Sequence, residues 1–350
     1  MKKTLLFGGF MCISILINAQ TKTKEYSIRT LAFYNLENLF DTINDPTKND
    51  EASPMMSLKG NKSKVYWDKI DKLGSVISQI GFEDTKTGPA IIGVSEVENR
   101  AVLEDLIHSK YLRKMNYDII HYESQDKRGI DVALLYQKKY FKPIHHESFT
   151  PNIFRDNFRV YTRDQLLVSG YLDDELIHVL VNHWPSRSGG EAASRALREK
   201  AAYLNTKIIE KIRETEPNAK IFGMGDFNDD PTNSSFKKVL KAKGAKKTVK
   251  ENDIYNPFEE MYKRGFNTLG YRDNINLFDQ IFFTSPALDK GGKDFSSYKM
   301  YKAMIFNKHF LITKKGRFKG YPFRSFSNSG YTGGYSDHYP VYLYLIKEKK

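Results

Sequence analysis

The stretch Ile221-Phe-Gly-Met-Gly-Asp-Phe-Asn228 is the clearest guide to the fold. Its first part is short and apolar, as expected of a buried strand, and Asp226 and Asn228 follow at once. Polar side chains placed just after a strand can converge on one point while the sheet holds them still. The stretch therefore predicts a buried strand that delivers acid and amide groups to a functional site.

The same arrangement recurs along the chain. Strands are predicted at residues 28–34, 90–94, 117–122, 132–136, 220–224, 278–283 and 341–346, with a hairpin at 165–181. Acidic, amide or imidazole side chains lie at the ends of several of these strands: Asn35, Glu96, Asn182, His183, Asp226, Asn228, Asp279, Asp337 and His338. Each of them alone would more often be a turn or packing residue, but the ordered set favours a site.

Two amphipathic helices are expected among the strands. Residues 64–81 carry apolar side chains at helical spacing from Trp67 to Ile80, and residues 191–213 carry a second stripe from Leu197 to Ile212. Strands and long helices mix throughout, and no linker is visible. The sequence therefore predicts a single α/β domain over residues 21–350.

The residue types of the set fit one kind of chemistry. Carboxylate and amide oxygens suit hard cations such as Mg²⁺, Mn²⁺ or Ca²⁺. A divalent ion can neutralise a phosphodiester and activate a water, and nearby histidines can move protons. Clustered cysteines and an H-E-x-x-H spacing are both missing from the sequence, so the usual zinc sites are disfavoured.

Taken in order, these segments resemble the endonuclease/exonuclease/phosphatase superfamily, in its deoxyribonuclease-like, extracellular bacterial nuclease branch. The matching segments cover residues 33–40, 94–99, 128–135, 182–187, 225–228, 278–281 and 336–340. Gly-Asp-Phe-Asn followed by Ser-Asp-His-Tyr-Pro near the C-terminus is the most specific part. The resemblance implies a four-layer αββα sandwich, with two face-to-face, mostly antiparallel sheets and the helices outside.

The resemblance also implies a role for each residue of the set. Asp226 would orient or deprotonate the attacking water, and Asn228 would bind the scissile phosphate. His183 would act toward the leaving side, and His338, oriented by Asp279, would face the phosphate or act as base. Which histidine is acid and which is base stays open. The metal ligands would be Asn35, Glu96 and Asp337.

Two assignments have alternatives in the sequence itself. Glu98 is an equal candidate for the role of Glu96, because the two carboxylates lie two residues apart in Glu96-Val-Glu98. Asp131 is a candidate to orient His183, and the other interpretation is a strand residue that faces solvent.

Arginines are the candidate substrate contacts. Arg163 has a guanidinium fork that matches phosphate oxygens, and its alternative is a surface salt bridge with Asp164. Arg187, in the segment that begins at Asn182, is a second candidate for a phosphate. Arg195 is discounted, because the exposed face of its helix is charged in any case.

The charge balance favours a polyanionic substrate. The net charge is +13, with a pI of about 9.3. Residues 290–334 hold ten Lys or Arg and one acid, interleaved with aromatic rings. The other interpretation is that strands at 303–306 and 309–312 bury most of these rings. Nucleic acid is the preferred substrate, and a sphingomyelinase-like phospholipid phosphodiesterase or a phosphomonoesterase is the alternative.

The N-terminus has the pattern of a secretory signal peptide over residues 1–20. Lys2 and Lys3 precede an apolar run, and a small residue lies at a plausible cleavage point. The alternatives are a membrane anchor and a lipoprotein anchor at Cys12, the single cysteine. The sequence thus predicts a secreted or periplasmic enzyme, without thiols or a stable membrane span after cleavage, and monomeric.

Overall fold

The computed structural model describes residues 24–271, 274–292 and 294–349. The predicted signal segment and its alternatives, including Cys12, lie outside the described residues. The strands in chain order are β1 (Tyr26–Leu39), β2 (Ile91–Val97), β3 (Tyr117–His121), β4 (Asp131–Gln137), β5 (Phe141–Phe149), β6 (Ile153–Arg155), β7 (Phe158–Val160), β8 (Gln165–Leu172), β9 (Glu175–His183), β10 (Ile221–Asp226), β11 (Ile254–Tyr255), β12 (Leu269–Tyr271), β13 (Asn274–Asn276), β14 (Asp279–Thr284), β15 (Lys299–Ile305), β16 (Phe326–Ser327), β17 (Gly330–Tyr331) and β18 (Val341–Glu348). The α-helices are α1 (Lys62–Ile77), α2 (Phe82–Thr85), α3 (Arg100–His108), α4 (Glu191–Thr215) and α5 (Phe258–Lys263).

Two six-stranded sheets form the centre of the fold. The first has the order β15-β18-β1-β2-β4-β3, and the second has the order β11-β14-β10-β9-β8-β5. Each sheet contains one parallel pair, β1 with β2 and β9 with β10, and its other neighbours are antiparallel. The prediction of mostly antiparallel sheets is therefore confirmed. Both parallel pairs are central in their sheets, so the carboxyl ends of these strands lie midway across each sheet.

The two sheets pack face to face around a shared core. Phe33 and Val94 of the first sheet lie in the same buried cluster as Val181 and Met224 of the second. At Gly93 the approach is so close that a Cβ atom would lie 2.8 Å from the Met224 sulfur and 3.0 Å from Val181 Cγ1. Glycine is required there, because a side chain would push the sheets apart.

Helices cover the outer faces and complete four layers. Leu73 of α1 and Leu106 of α3 pack with the core residues of the first sheet. Ala201 and Ile208 of α4 form a second buried cluster with Leu180 and other residues of the second sheet. The predicted αββα sandwich is confirmed. Within the described ranges, no helix is both long and apolar enough to cross a membrane.

Some local predictions differ from the structure. α1 ends at Ile77, and Trp67 of its predicted apolar stripe is 50% exposed. Lys69 is buried instead, because its ammonium group donates to the Ser325 hydroxyl at 2.6 Å. That partner is remote in sequence, so helical periodicity could not indicate it. The predicted strand at 309–312 is wrong, since a 3₁₀ turn covers His309–Leu311.

A buried ion pair ties α4 to the loop after β10, and it yields a stability prediction. Arg198 Nε donates to Asp229 Oδ1 at 2.6 Å, with both side chains fully buried. We expect Arg198→Ala to lower the free energy of unfolding by about 3 kcal/mol, because the buried Asp229 carboxylate loses its nearest cation and keeps only the Ser235 hydroxyl and Arg187 at 3.5 Å. Denaturant unfolding would measure this loss.

The matched control lies three residues earlier on the same helix. Arg195 pairs with Glu191 at 2.8 Å, and both side chains are partly exposed. Arg195→Ala should therefore leave the free energy of unfolding almost unchanged, because water and salt screen an exposed ion pair. Equal losses for the two variants would contradict the importance given to the Arg198 pair.

Candidate active site

Three of the predicted site residues stand in one row across the second sheet. Asp226, the last residue of β10, is paired in register with His183 of β9 on one side. On its other side it is paired with Asp279 of β14. Asn35 and Glu96 reach the same place from the central strands β1 and β2 of the first sheet. The strand ends therefore converge as the sequence predicts.

The amide of Asn35 joins the carboxylates of the two sheets. Its Nδ2 donates to Glu96 Oε1 at 3.2 Å and to Asp226 Oδ2 at 3.1 Å. Its Oδ1 accepts the backbone N–H of Glu37 at 2.9 Å. Asn35 thus holds the two carboxylates together. Direct ligation of a cation by Asn35 would require its amide to turn over, because the oxygen is already used.

Irregular backbone aims two of the side chains. Glu96 has φ +59° and Asn228 has φ +50°, the left-handed region that a non-glycine residue seldom adopts. The register between β2 and β4 shifts between Ser95 and Val97, which is a bulge centred on Glu96. Such a bulge re-aims a side chain at a cost of about 1–3 kcal/mol in strain, and such strain is concentrated at functional sites.

Asn228 lies at the mouth of the pocket beside Asp226. Its backbone N–H donates to Asp226 Oδ1 at 3.0 Å, which fixes that carboxylate. Its side-chain nitrogen donates to the Trp184 carbonyl at 3.0 Å. Asn228 is half-buried, so its anchored amide keeps some exposure to solvent beside Asp226.

His338 is held by Asp279. Its Nδ1 lies 2.7 Å from Asp279 Oδ2, and its Nε2 lies 3.9 Å from Asp226 Oδ2. Burial alone would lower the pKa of His338, but Asp279 and Asp226 outweigh it and raise that pKa well above the usual range. The two carboxylates therefore favour the protonated form of the imidazole.

His183 has the opposite electrostatic surroundings. Burial, with Arg163 and Arg128 nearby, lowers the pKa of His183 well below its usual range. Its Nε2 lies 3.5 Å from Asp226 Oδ2, and its buried Nδ1 has no hydrogen-bond partner among the described residues. Asp131 does not orient it, since Asp131 is buried and binds His121 at 3.1 Å. Both interpretations offered for Asp131 are therefore wrong.

A metal ion fits between the two sheets. Glu96, His183 and Asp226 each offer a ligand atom, and these atoms all lie within 4.8 Å of one another. Burial raises the pKa of Asp226 to about 7, although His338 acts against this shift. Two carboxylates this close and this enclosed need a positive partner, and oxygen donors suit a hard divalent cation. Asp337, the other predicted ligand, is outside this group.

Asp337 lies at the edge of the pocket in a different network. Its Oδ2 accepts from Arg324 at 3.2 Å, and its Oδ1 lies 4.0 Å from His338 Nε2. Arg324 also pairs with the buried Glu37 at 3.3 Å. Sequence reasoning missed Glu37 and Arg324, although Glu37 lies in the matching segment 33–40, which was the available signal. The Glu37 carboxylate also accepts the backbone N–H groups of Ser325 and Phe326 and so fixes this loop.

Glu98 points to a separate acidic cavity. Its Oε2 accepts the backbone N–H of Asp41 at 2.7 Å. Glu98, Asp41, Asp45 and Asp50 border a cavity of about 300 Å³. Burial, with these acids nearby, raises the pKa of Glu98 to about 7. Of the two neighbouring carboxylates, Glu96 is the one beside His183 and Asp226.

The two candidate arginines contact protein groups that position the site residues. Arg163 is buried, pairs with Asp126 at 3.2 Å, and donates to the carbonyls of His183 and Trp184. The alternative of a surface salt bridge with Asp164 is wrong. The structure also places the guanidinium on protein groups rather than toward a substrate, because its donors face these carbonyls and a carboxylate.

Arg187 is bound by the loop after β10. Its Nε donates to the Asn228 carbonyl at 2.9 Å, and a second nitrogen donates to Asp230 at 3.1 Å. The guanidinium lies over the Phe278 ring, 4.4 Å from its centroid. Arg187 therefore shapes the loop that carries Asn228, and a contact with substrate stays a prediction.

This fold and site define a metal-dependent phosphoester hydrolase. The chain belongs to the Endonuclease/Exonuclease/phosphatase family, whose model matches residues 30–347. Enzymes of this family depend on divalent metals. The resemblance found in the sequence is thereby confirmed at family level. Comparison with curated proteins finds no significant match.

Solved structures of the same fold are similar over nearly the whole chain. D. rerio TDP2 complexed with single-strand DNA product has 13% identity and a TM-score of 0.52, covering 91% of this chain and 99% of that chain. A Bacteroides thetaiotaomicron mannosyl-6-phosphatase has 16% identity and a TM-score of 0.53, covering 91% and 99%. The human Nocturnin catalytic domain with bound sulfate has 11% identity and a TM-score of 0.51, covering 93% and 98%.

Proposed function

We propose that the protein is a secreted or periplasmic phosphodiesterase that hydrolyses nucleic acid with the help of Mg²⁺ or Mn²⁺. The observation that carries the proposal is the group formed by Glu96, His183 and Asp226, with His338 facing it. It combines a place for a cation with two imidazoles, which is what phosphoester hydrolysis requires. The N-terminal signal pattern supports export, and a monomer is the simplest state.

Each side chain has a role that follows from its position. Glu96 and Asp226, with Asn35 beside them, would hold the cation, which neutralises charge on the phosphate when it is bound. Asp226 orients or deprotonates the attacking water. His338, fixed by Asp279, presents Nε2 to the phosphate.

The opposite side of the phosphate is served by His183 at the end of β9 and by Asn228 in the loop after β10. His183 approaches Asp226 to 3.5 Å and acts toward the leaving oxygen. Asn228 keeps some exposure to solvent beside Asp226, where an amide can donate to a phosphate oxygen. The alkoxide is a poor leaving group, so proton donation or hydrogen bonding on this side is needed as much as water activation on the other.

Charge and similarity support nucleic acid as the substrate. A net charge of +13 favours polyanions. D. rerio TDP2, solved with a single-strand DNA product, has the same fold. In residues 290–334, Tyr298, Phe306 and Phe326 are buried, so these rings belong to the core as the alternative interpretation held. Tyr301 and Phe318 are exposed and stay available for bases.

A phosphomonoesterase is the second candidate. A Bacteroides thetaiotaomicron mannosyl-6-phosphatase is similar to this chain to the same extent as TDP2. The pocket chemistry described above serves a monoester equally well, because the cation and imidazoles contact only the phosphoryl group. The two functions differ in the part of the substrate beyond the phosphate that the enzyme must bind.

An activity panel separates these functions. The purified protein would be assayed on plasmid DNA, single-stranded DNA, RNA, sphingomyelin vesicles and 4-nitrophenyl phosphate, each with Mg²⁺, Mn²⁺, Ca²⁺ or EDTA. We expect a nucleic acid to be cleaved with Mg²⁺ or Mn²⁺, and cleavage to stop in EDTA and return on adding metal. Cleavage of the monoester or of sphingomyelin with intact nucleic acids would overturn the proposal.

A further inference from the structure

A short hairpin beside the pocket exposes three aromatic rings. It consists of β6, β7 and the turn Asp156-Asn157, where both turn residues have positive φ, as a tight hairpin turn needs. Phe154 is 56% exposed, Phe158 is 78% exposed, and Tyr161 just after β7 is 46% exposed. Three rings left this exposed on one small element forgo the free energy that their burial would provide. Such a cluster of exposed apolar groups indicates a binding surface.

The hairpin is anchored and its rings alternate with cations. Ile153 is buried and secures its base. The guanidinium of Arg159 lies 5.5 Å from the Phe154 ring centroid and 6.0 Å from that of Tyr161. This stacking sets both rings in place and leaves their other faces accessible. We call residues 153–161 the aromatic hairpin.

A basic recess lies between the aromatic hairpin and the segment that follows His183. Its volume is about 250 Å³, and its lining includes Lys127, Arg128, Arg155, Tyr161, Arg163 and Ser186. The one acid in the lining, Asp126, already pairs with Arg163 at 3.2 Å and with Arg128 at 3.3 Å. The recess therefore has surplus positive charge.

One wall of the recess lies next to His183. Arg163 donates from this wall to the carbonyl of His183 at 3.2 Å. Pro185 and Ser186 of the same wall follow His183 by two and three residues. A chain with its scissile phosphate at His183 would therefore bring the next phosphate to the recess.

We propose that the recess and the aromatic hairpin bind the nucleotides of a single-stranded nucleic acid that flank the scissile phosphate. This inference rests on the proposed function and specifies that the nucleic acid bound at the site is single-stranded. The recess takes a phosphate through Lys127 and Arg155, and Phe154 and Phe158 stack on the bases. Bases of a duplex are stacked on one another and present no face to such rings. A membrane is the less suitable partner, because a flat bilayer does not fill a concave, charged recess.

The test compares a long substrate with a short one. Phe154→Ala/Phe158→Ala would be assayed on a fluorescein-labelled (dT)12 oligonucleotide and on bis(4-nitrophenyl) phosphate, which reaches only the catalytic pocket. We expect the KM for the oligonucleotide to rise about 10- to 100-fold, since base stacking on two rings is lost. The kcat/KM for the small diester should stay within twofold of the unchanged protein.

The control replaces a matched ring elsewhere. Tyr203 on α4 is 53% exposed and stacks with Lys207 at 5.3 Å, and Tyr203→Ala should leave both substrates unaffected. Arg155→Ala should also raise the oligonucleotide KM and reduce its dependence on salt, because one phosphate contact is removed.

Other outcomes overturn the inference in distinguishable ways. If the unchanged protein cleaves (dT)12 and the double variant matches it, the aromatic hairpin is not a nucleotide site and the proposed function stands. If the double variant loses both substrates equally, the hairpin is structural. If it loses only binding to anionic phosphatidylglycerol vesicles, the partner is a membrane. If the unchanged protein cleaves the small diester but no nucleic acid, the proposed function fails and this inference with it.

Discussion

Replacing His338 by alanine is expected to lower kcat by about 10²–10⁴-fold while the protein stays folded. The imidazole is held by Asp279 at 2.7 Å and faces Asp226 across the pocket, so the lost group is one that acts on the phosphate. His183→Ala should lose activity on the same scale. The double variant should lose less than the product of the two, because residues of one catalytic unit are not additive.

His178 provides the matched control for these variants. It lies on β9 like His183, is equally buried, and binds Ser169 and Glu216 away from the pocket. His178→Ala should lower the melting temperature and leave kcat unchanged. If His183→Ala and His338→Ala behave like this control, with lower stability and normal turnover, the two histidines are packing residues and their proposed roles are wrong.

Glu96→Gln is expected to lower kcat/KM by at least about 100-fold at a fixed Mn²⁺ concentration. One of the two carboxylates between the sheets becomes neutral in a site that needs charge to hold a hard cation. A second measurement does not depend on turnover. Mn²⁺ should raise the melting temperature of the unchanged protein, because it binds the folded state, and should raise that of Glu96→Gln much less.

Glu98→Gln is the control for this change. Glu98 lies in the acidic cavity with Asp41 rather than beside His183. The variant should keep near-normal activity and the full Mn²⁺-dependent rise in melting temperature. Normal activity in Glu96→Gln together with lost activity in Glu98→Gln would reverse the assignment of the two carboxylates.

Much of the fold could be predicted from local patterns. Short apolar runs such as Ile91–Val94 are buried strands, and the spacing from Leu197 to Ile208 places α4 correctly. Both patterns depend only on which face of an element is buried, and neighbouring residues report that face directly. Trp67 and Lys69 reverse the expected exposure, because a distant serine satisfies the lysine.

Site residues that lie near strand ends could be predicted from the sequence. Residues whose role depends on a partner remote in sequence could not. The structure brings together six residues that lie at or close to an end of a predicted strand: Asn35, Glu96, His183, Asp226, Asp279 and His338. The role of an arginine depends on the groups that its guanidinium contacts in the folded protein. Arg163 finds Asp126 and two carbonyls, and nothing in Thr162-Arg-Asp164 indicates a partner 37 residues away.

The aromatic hairpin could not be predicted from the sequence either. Phe154, Phe158 and Tyr161 alternate with arginines as they would in an ordinary edge strand. Only the packing of Ile153 beneath and the exposure of the rings above distinguish a binding element from a core strand.

The row formed by His183, Asp226 and Asp279 links chemistry to the accuracy of sheet assembly. Side chains alternate between faces along a strand, so a one-residue slip of β10 against its neighbours would turn Asp226 out of the pocket. Such a misassembled molecule would have no activity at all, rather than reduced activity. The specific activity of a preparation is therefore a measure of the correctly registered fraction. A substitution on an outer strand of this sheet can lower that fraction while every active molecule turns over at the normal rate.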